Sequence, residues 1–254
     1  MKFKLTLILL IITAFVLIQD SQNRDQPKVN TSNQNEVLAK NPTDKYTYLK
    51  RNNIHLFIFN EADYILNLRE NLELNFADYS EVNEFDIAIN AGYFTKENEH
   101  AGLLVIDNNV YSGLSRGDEQ LTHVLDLDKF DFLSTEEYYQ LDENLANAFQ
   151  SGPLFISDNL IQTELIDNSL NGKTKHFRSF LGTSGSKKFI GITTTPYSLT
   201  DLTNDLLDLE ELNEPITVLN LDGGSSVALY SRTNPDIAFG KNKRLPFILG
   251  FIFN

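Results

Sequence analysis

Short apolar runs separated by turn residues dominate this chain, and they limit its fold more than any other feature. Ile54-His-Leu-Phe-Ile-Phe59, Asp86-Ile-Ala-Ile-Asn90, Phe189-Ile-Gly-Ile-Thr193 and Leu245 to Phe253 have strand length and are rich in branched and aromatic side chains. Asp107-Asn-Asn109 separates Leu103–Ile106 from Val110–Tyr111, and Asp158-Asn159 separates Leu154–Ile156 from Leu160–Ile161. Both pairs of runs read as hairpins. Helix signals are sparser. Leu199, Leu202, Leu206 and Leu209, extending toward Leu212, repeat at helical spacing with acidic and amide residues between them. Ser198 or Thr200 can cap this helix, and Pro215 bars its continuation. Glu136 to Phe149 is a second helix candidate. The segment from Phe189 to Tyr230 then reads strand, helix, strand, loop, strand, with a right-handed crossover expected. The fold expected is α+β: a mixed, largely antiparallel β-sheet core with a few packed helices, in a single domain.

The chain of 254 residues is 41% hydrophobic, enough for a sizeable core. Its formal net charge of −14 repels nucleic acid and anionic membrane surfaces, so no nucleic-acid partner is expected. Any phosphate must be met by a local set of donors. The absence of cysteine removes disulfides, thiolate metal sites and cysteine nucleophiles together. Met1-Lys-Phe-Lys4 followed by an apolar stretch from Leu5 to Ile18 reads as a signal peptide or an N-terminal membrane anchor over residues 1–20. Residues 21–45 are polar and read as a flexible linker, leaving 46–254 as the folded domain. The expected location is extracytoplasmic: secreted, periplasmic, or tethered to a membrane only through residues 5–18.

Three strand ends share one pattern. Asn90-Ala-Gly-Tyr-Phe94 follows a buried run, Ser151-Gly-Pro153 precedes one, and Asn220-Leu-Asp-Gly-Gly-Ser-Ser226 lies between two, Ile216–Leu219 and Val227–Tyr230. Asp-Gly between strands is an ordinary hairpin signal. Glycine at a strand end also admits close approach of a ligand, and loop N–H groups can cradle an anion without a basic residue.

Taken in order, Asn-Ala-Gly-Tyr-Phe, Ser-Gly-Pro, Arg178-Ser-Phe-Leu-Gly182 and Asn-Leu-Asp-Gly-Gly-Ser resemble the phosphodiester glycosidase family, over about Ile54 to Phe253. Bacterial members are often linked to exopolysaccharide. Thr-Lys-His-Phe before Arg178, and Ser225-Ser226 in place of a further glycine, depart from the family pattern in ways that bear on substrate preference. The resemblance implies an exported hydrolase that cleaves a sugar-1-phosphodiester between the anomeric carbon and the phosphate oxygen, in a cell-surface or extracellular glycan. A non-catalytic glycan- or phosphoglycan-binding module on the same fold is the alternative.

Asp222 is the first catalytic candidate: a carboxylate can stabilise oxocarbenium character or activate water. Otherwise it is a turn aspartate bonded to its own backbone. Arg178 is the candidate phosphate ligand, since a guanidinium fork matches two phosphate oxygens, although it could equally pair with a surface carboxylate. Asn90, placed with the catalytic set, and Asn220 end strands and offer amides to sugar hydroxyls or cap the strands. His176 would share Arg178's side of a strand and could act as acid or base, or be structural. Gly92, Gly152, Gly223 and Gly224 would shape the pocket, with Ser151 and Ser225 beside them, and Tyr93 could stack on a sugar face or join the core. No cofactor is identified. A divalent metal is compatible with the chemistry, but four histidines without a metal-ligand spacing do not indicate one. Asp126, Asp128 and Asp131 lack the glycine and distal glutamate of a calcium loop, and Arg116-Gly-Asp118 is too short to carry meaning.

Overall fold

A computed structural model describes residues 45–60, 62–68 and 72–253. The expectations for residues 1–20 and for nearly all of the linker lie outside the described residues. Among the described residues no helix is long and apolar enough to cross a membrane.

Three sheets are built from these residues, and their printed pairings are all antiparallel. The largest runs in the order β1 (Tyr46–Arg51), β2 (Ile54–Phe59), β13 (Lys187–Thr193), β12 (Ser179–Ser184), β14 (Ile216–Asn220), β10 (Leu154–Ser157), β11 (Leu160–Ile161). A four-stranded sheet runs β15 (Leu229–Ser231), β4 (Ile87–Asn90), β16 (Phe247–Ile252), β3 (Asp63–Leu68). A five-stranded sheet runs β6 (Asn109–Ser112), β5 (Leu104–Ile106), β9 (Ala148–Ser151), β7 (His123–Asp126), β8 (Asp131–Ser134). The helices are α1 (Phe76–Val82), α2 (Thr135–Tyr139), α3 (Thr163–Asn168) and α4 (Leu199–Leu207). The α+β expectation, sheet-rich and largely antiparallel, is what the chain adopts.

Strand alternation explains the layering. In β2, Leu56 and Ile58 face Leu199, Leu202 and Leu206 of α4, while Phe57 and Phe59 face the other two sheets. In β14, Ile216 and Val218 join the α4 side and Leu219 joins the inter-sheet core. That inter-sheet core holds Ile87, Ile89, Leu249 and Phe251 of the four-stranded sheet and Leu104, Leu125 and Phe149 of the five-stranded one. The far face of the four-stranded sheet is closed by Phe76 of α1 with Phe85 and Ile248. Ser198 caps α4 by accepting from the Asp201 N–H. Helix α4 connects β13 to β14, which run parallel to each other with β12 antiparallel between them.

The Asp-Asn turns form as expected: Asp107 and Asn108 have φ of 49° and 64°, and Asp158 and Asn159 have the same values. Two expectations change. Glu136 to Phe149 is not one helix. Ser134 and Glu137 form a capping box that starts α2, but the helix ends at Tyr139 and Ala148–Ser151 is the central strand of the five-stranded sheet. Tyr138, Leu141 and Leu145 still pack together against that sheet, so their helical spacing marked a buried face without a continuous helix. Nor is Asp222-Gly223-Gly224 a hairpin turn. Its flanking strands, β14 and β15, belong to different sheets, and the loop carries the chain across the core from one to the other.

Candidate active site

The crossing loop is held from below by Asn90, the last residue of β4. Its amide Nδ2 donates to the Asp222 carbonyl at 2.7 Å, and its Oδ1 accepts from the Ser179 hydroxyl at 2.6 Å and the Ala228 N–H at 3.0 Å. One buried amide therefore ties β4, β12, the segment before β15 and the Asp222 loop together. The Asp222 N–H adds a bond to the Ala91 carbonyl at 3.3 Å. Asn90 is 2% exposed, so its amide faces the scaffold rather than a ligand.

Above this knot Asp222 is half-buried. Burial pushes its carboxyl up to about 6, against the Ser226 hydroxyl, the Gly223 N–H and the Lys243 ammonium, which favour the charged form. A carboxylate titrating near neutrality suits proton transfer. Gly223 is required by close approach: a Cβ there would lie 2.8 Å from the Phe177 carbonyl oxygen. The same carbonyl accepts the Gly224 N–H at 2.8 Å. That N–H is thus already engaged, and the loop offers fewer amides to an anion than its sequence implied. Gly224 itself faces open space at φ 58°. Ser225 is exposed on the 3-10 turn Gly224–Ser226.

A second knot lies beside Asp222. The Tyr93 hydroxyl donates to the Gly152 carbonyl at 2.9 Å. Asn220 Nδ2 reaches the Tyr93 oxygen at 2.7 Å, the Gly152 carbonyl at 3.0 Å and the Leu221 carbonyl at 2.8 Å. Two carbonyl acceptors fix this amide's orientation, since only its nitrogen can donate to them. Its Oδ1 is buried without a partner among the described residues. The Ser151 hydroxyl, fully buried, donates to the Asn220 carbonyl at 2.9 Å. Burial and the Asp222 charge push the Tyr93 phenol above its ordinary value, with Arg178 opposing them, so it stays a neutral hydroxyl. Gly152, at φ 151°, packs against Thr122, where a Cβ would lie 2.6 Å from the hydroxyl. Gly92 makes room for the buried His100 ring: a Cβ there would lie 2.7 Å from Nε2. Gly92 and Gly152 thus serve packing within the scaffold.

Arg178 is 3% exposed. Its Nε donates to the Tyr197 carbonyl at 2.9 Å, and Nη2 donates to the carbonyls of Asn171 and Thr174 at 2.6 and 2.7 Å. It forms no ion pair with a carboxylate among the described residues. Its fork braces the 171–178 loop, which also presents the Phe177 carbonyl to the Asp222 loop. His176 is half-buried, with Nε2 2.8 Å from the Thr174 hydroxyl and its backbone paired to Tyr197.

Two residues at the site were not singled out in the sequence. Ser226 bonds to the Asp222 carboxyl, and Lys243 acts on it electrostatically. Ser226 lay within the quoted motif, four residues after Asp222. Lys243 lay in a basic tetrapeptide, Lys241-Asn-Lys-Arg244, that looked like ordinary surface. Beyond the Tyr93 knot lies a cleft of about 440 Å³ lined by Arg116, Asp118, Thr122, His123, Glu136 and Tyr139, among others. Thr122 joins it to Gly152, and Asp118 bears on Tyr93. Among the described residues no cluster of three or more His, Asp or Glu side chains could hold a metal ion.

Comparison with known proteins agrees with this geometry. Residues 83–252 match the phosphodiester glycosidase family. No curated protein matches by sequence. The solved catalytic domain of zebrafish N-acetylglucosamine-1-phosphodiester alpha-N-acetylglucosaminidase superposes with a TM-score of 0.58 at 11% identity, over 85% of this chain and 81% of that one. A hypothetical protein from Synechocystis gives a TM-score of 0.51 at 12% identity, over 82% of this chain and 60% of that one. A protein from Burkholderia pseudomallei K96243, described as exported, gives 0.50 at 8% identity, over 82% and 74%. At these identities the superpositions speak for the fold, and the sequence match, which spans the Asn90, Ser151, Arg178 and Asp222 motifs, speaks for descent: the chain belongs to the phosphodiester glycosidase family.

Proposed function

We propose that this protein is an exported hydrolase that cleaves sugar-1-phosphodiesters at the bond between the anomeric carbon and oxygen, in a cell-surface or extracellular glycan. The observation that carries this reading is the Asp222 carboxyl, raised to about 6 and held rigidly at a loop between two sheets. In its ionised form it takes a proton from water. The water oxygen bonds to the anomeric carbon, the C–O bond breaks, and the phosphate monoester leaves with that oxygen. A phosphate leaving group is already acidic, so proton donation to it contributes little. The neighbouring cleft gives room for the group beyond the phosphate. Family membership and the named activity of the zebrafish relative support the substrate class. The basic and apolar N-terminus supports export.

The test is incubation of the full chain with a synthetic sugar-1-phosphodiester in oxygen-18 water. Free reducing sugar carrying the label is the expected product, and Asp222→Asn should abolish it. Label in the phosphate would mean P–O cleavage and would overturn the proposal. A second reading, a non-catalytic phosphoglycan-binding module, draws support from the internal bonding of Asn90, Ser151, Asn220 and Arg178. Binding of the diester without sugar release would establish it.

A further inference from the structure

Asp222 and a phosphodiester would bring two negative charges into one partly desolvated site, so a cation must stand between them. The sequence pointed to Arg178. The geometry does not support that role: both Nη2 hydrogens and the Nε hydrogen are spent on the carbonyls of Asn171, Thr174 and Tyr197. Lys243 is placed differently. It is half-buried, and its Nζ donates to the Val227 carbonyl at 2.6 Å. An ammonium has three N–H groups, so two remain. Its backbone is pinned, with the N–H donating to the Gly240 carbonyl at 3.0 Å and the carbonyl accepting from the Phe76 N–H at 2.7 Å. The stem runs beside Phe239, with Nζ 5.9 Å from the ring centroid, and Phe239 is locked to Leu229 by two backbone bonds of 2.8 and 3.0 Å. Phe239 in turn packs on Phe177, whose carbonyl fixes the Asp222 loop. The lysine is therefore held on the scaffold that holds Asp222, with donors to spare.

We propose that Lys243 is the phosphate-binding cation of this site, and that Arg178 is a positioning residue that braces the loop carrying Phe177. The inference rests on the sugar-phosphodiester reading above. Lys243 also bears on Asp222 directly: each favours the charged form of the other, while burial opposes both. The other titratable group acting with Asp222 is Tyr93, after β4, which in turn feels Arg178 before β12 and Asp118 on the cleft wall.

The experiment compares Lys243→Met, Lys243→Arg and Arg178→Met in the full chain. It measures hydrolysis of a synthetic N-acetylglucosamine-1-phosphomethyl diester across pH, and calorimetric binding of glucose-1-phosphate. Lys243→Met should raise KM and weaken glucose-1-phosphate by roughly 10–100-fold, the weight of one charge-assisted hydrogen bond. It should also move the acidic limb of kcat/KM to higher pH, because Asp222 loses a nearby positive charge. Lys243→Arg should restore most of the affinity. Arg178→Met should lower the melting temperature and kcat while leaving the acidic limb in place. Unchanged KM and an unmoved limb in Lys243→Met, with a normal melting curve, overturn the proposal. So does a large loss of phosphate affinity in folded Arg178→Met alone. If the wild type releases no sugar yet binds glucose-1-phosphate, and Lys243→Met loses that binding, the phosphate site stands and the hydrolase reading falls. A wild type that binds no glucose-1-phosphate overturns the site.

Discussion

Replacing Asp222 by asparagine should abolish activity and, at neutral pH, make the protein more stable. The carboxyl is raised from its ordinary 3.8 to about 6 because burial disfavours its charge more than Ser226, Gly223 and Lys243 favour it. A folded state with the higher affinity for a proton is stabilised by protonation. The stability this group permits is therefore full below about pH 4 and is lost as pH rises through 6. At roughly 1.4 kcal/mol per tenfold change in proton affinity, the penalty at pH 7 is about 3 kcal/mol at most, and less where solvent reaches the half-buried group. Asparagine keeps an oxygen that can accept from Ser226 and the Gly223 N–H, and carries no charge. The variant should gain about 1–3 kcal/mol at pH 7, or roughly 2–10 °C in melting temperature for a domain of this size. Near pH 4 the two proteins should be equally stable. Thermal melts from pH 4 to 8, set beside a sugar-release assay, measure both halves. An asparagine variant that is less stable at pH 7, or a gain that does not shrink toward pH 4, would refute the reasoning that the site holds a strained charge for catalysis.

Two other substitutions separate scaffold from chemistry. Asn90→Ala removes bonds to the Asp222 carbonyl, the Ser179 hydroxyl and the Ala228 N–H at a buried position. It should destabilise by about 2–4 kcal/mol in denaturant titration, since unpaired buried polar groups remain. Gly223→Ala places a methyl 2.8 Å from the Phe177 carbonyl oxygen. It should cost about 1–3 kcal/mol of stability, with kcat reduced because the loop moves away from Phe177; unchanged kinetics would show that the loop tolerates displacement.

The sequence was most legible where a rule is local. The two Asp-Asn hairpins follow from residues that accept positive φ, and α4 follows from leucine spacing with Ser198 as its cap. Asp222, Asn90 and Gly223 were found because glycine-bearing strand ends stand out between apolar runs. What could not be read was direction. Asn90, Asn220, Ser151 and Arg178 have side chains able to bind a sugar phosphate, yet each spends its donors on carbonyls brought from distant segments. No local pattern shows whether an amide at a strand end faces solvent or the core. Lys243 was invisible for the same reason: its approach to Asp222 depends on how the segment before β16 packs under Phe239. The residues 136–149 failed differently, since apolar spacing there reports a buried face that both a helix and an irregular segment can supply.

The crossing of the Asp222 loop between two sheets has a consequence for how activity is lost. A hairpin carboxylate is placed by its own turn and survives loosening elsewhere. Here Asp222 follows β14 of the seven-stranded sheet, but its carbonyl is gripped by Asn90 of the four-stranded sheet, and Gly224 is held by Phe177 next to β12. The site exists only while the sheets are docked through Phe57, Ile89, Leu219 and Leu249. Activity should therefore vanish together with the docking of the sheets, ahead of any loss of strand content within each sheet. In mild denaturant, sugar release and tyrosine near-ultraviolet circular dichroism should fall on one curve, because Tyr46, Tyr48 and Tyr93 all report on this core or the site. Activity persisting after the tyrosine signal has gone would mean that the loop holds its shape alone, and the dependence on sheet docking would be wrong.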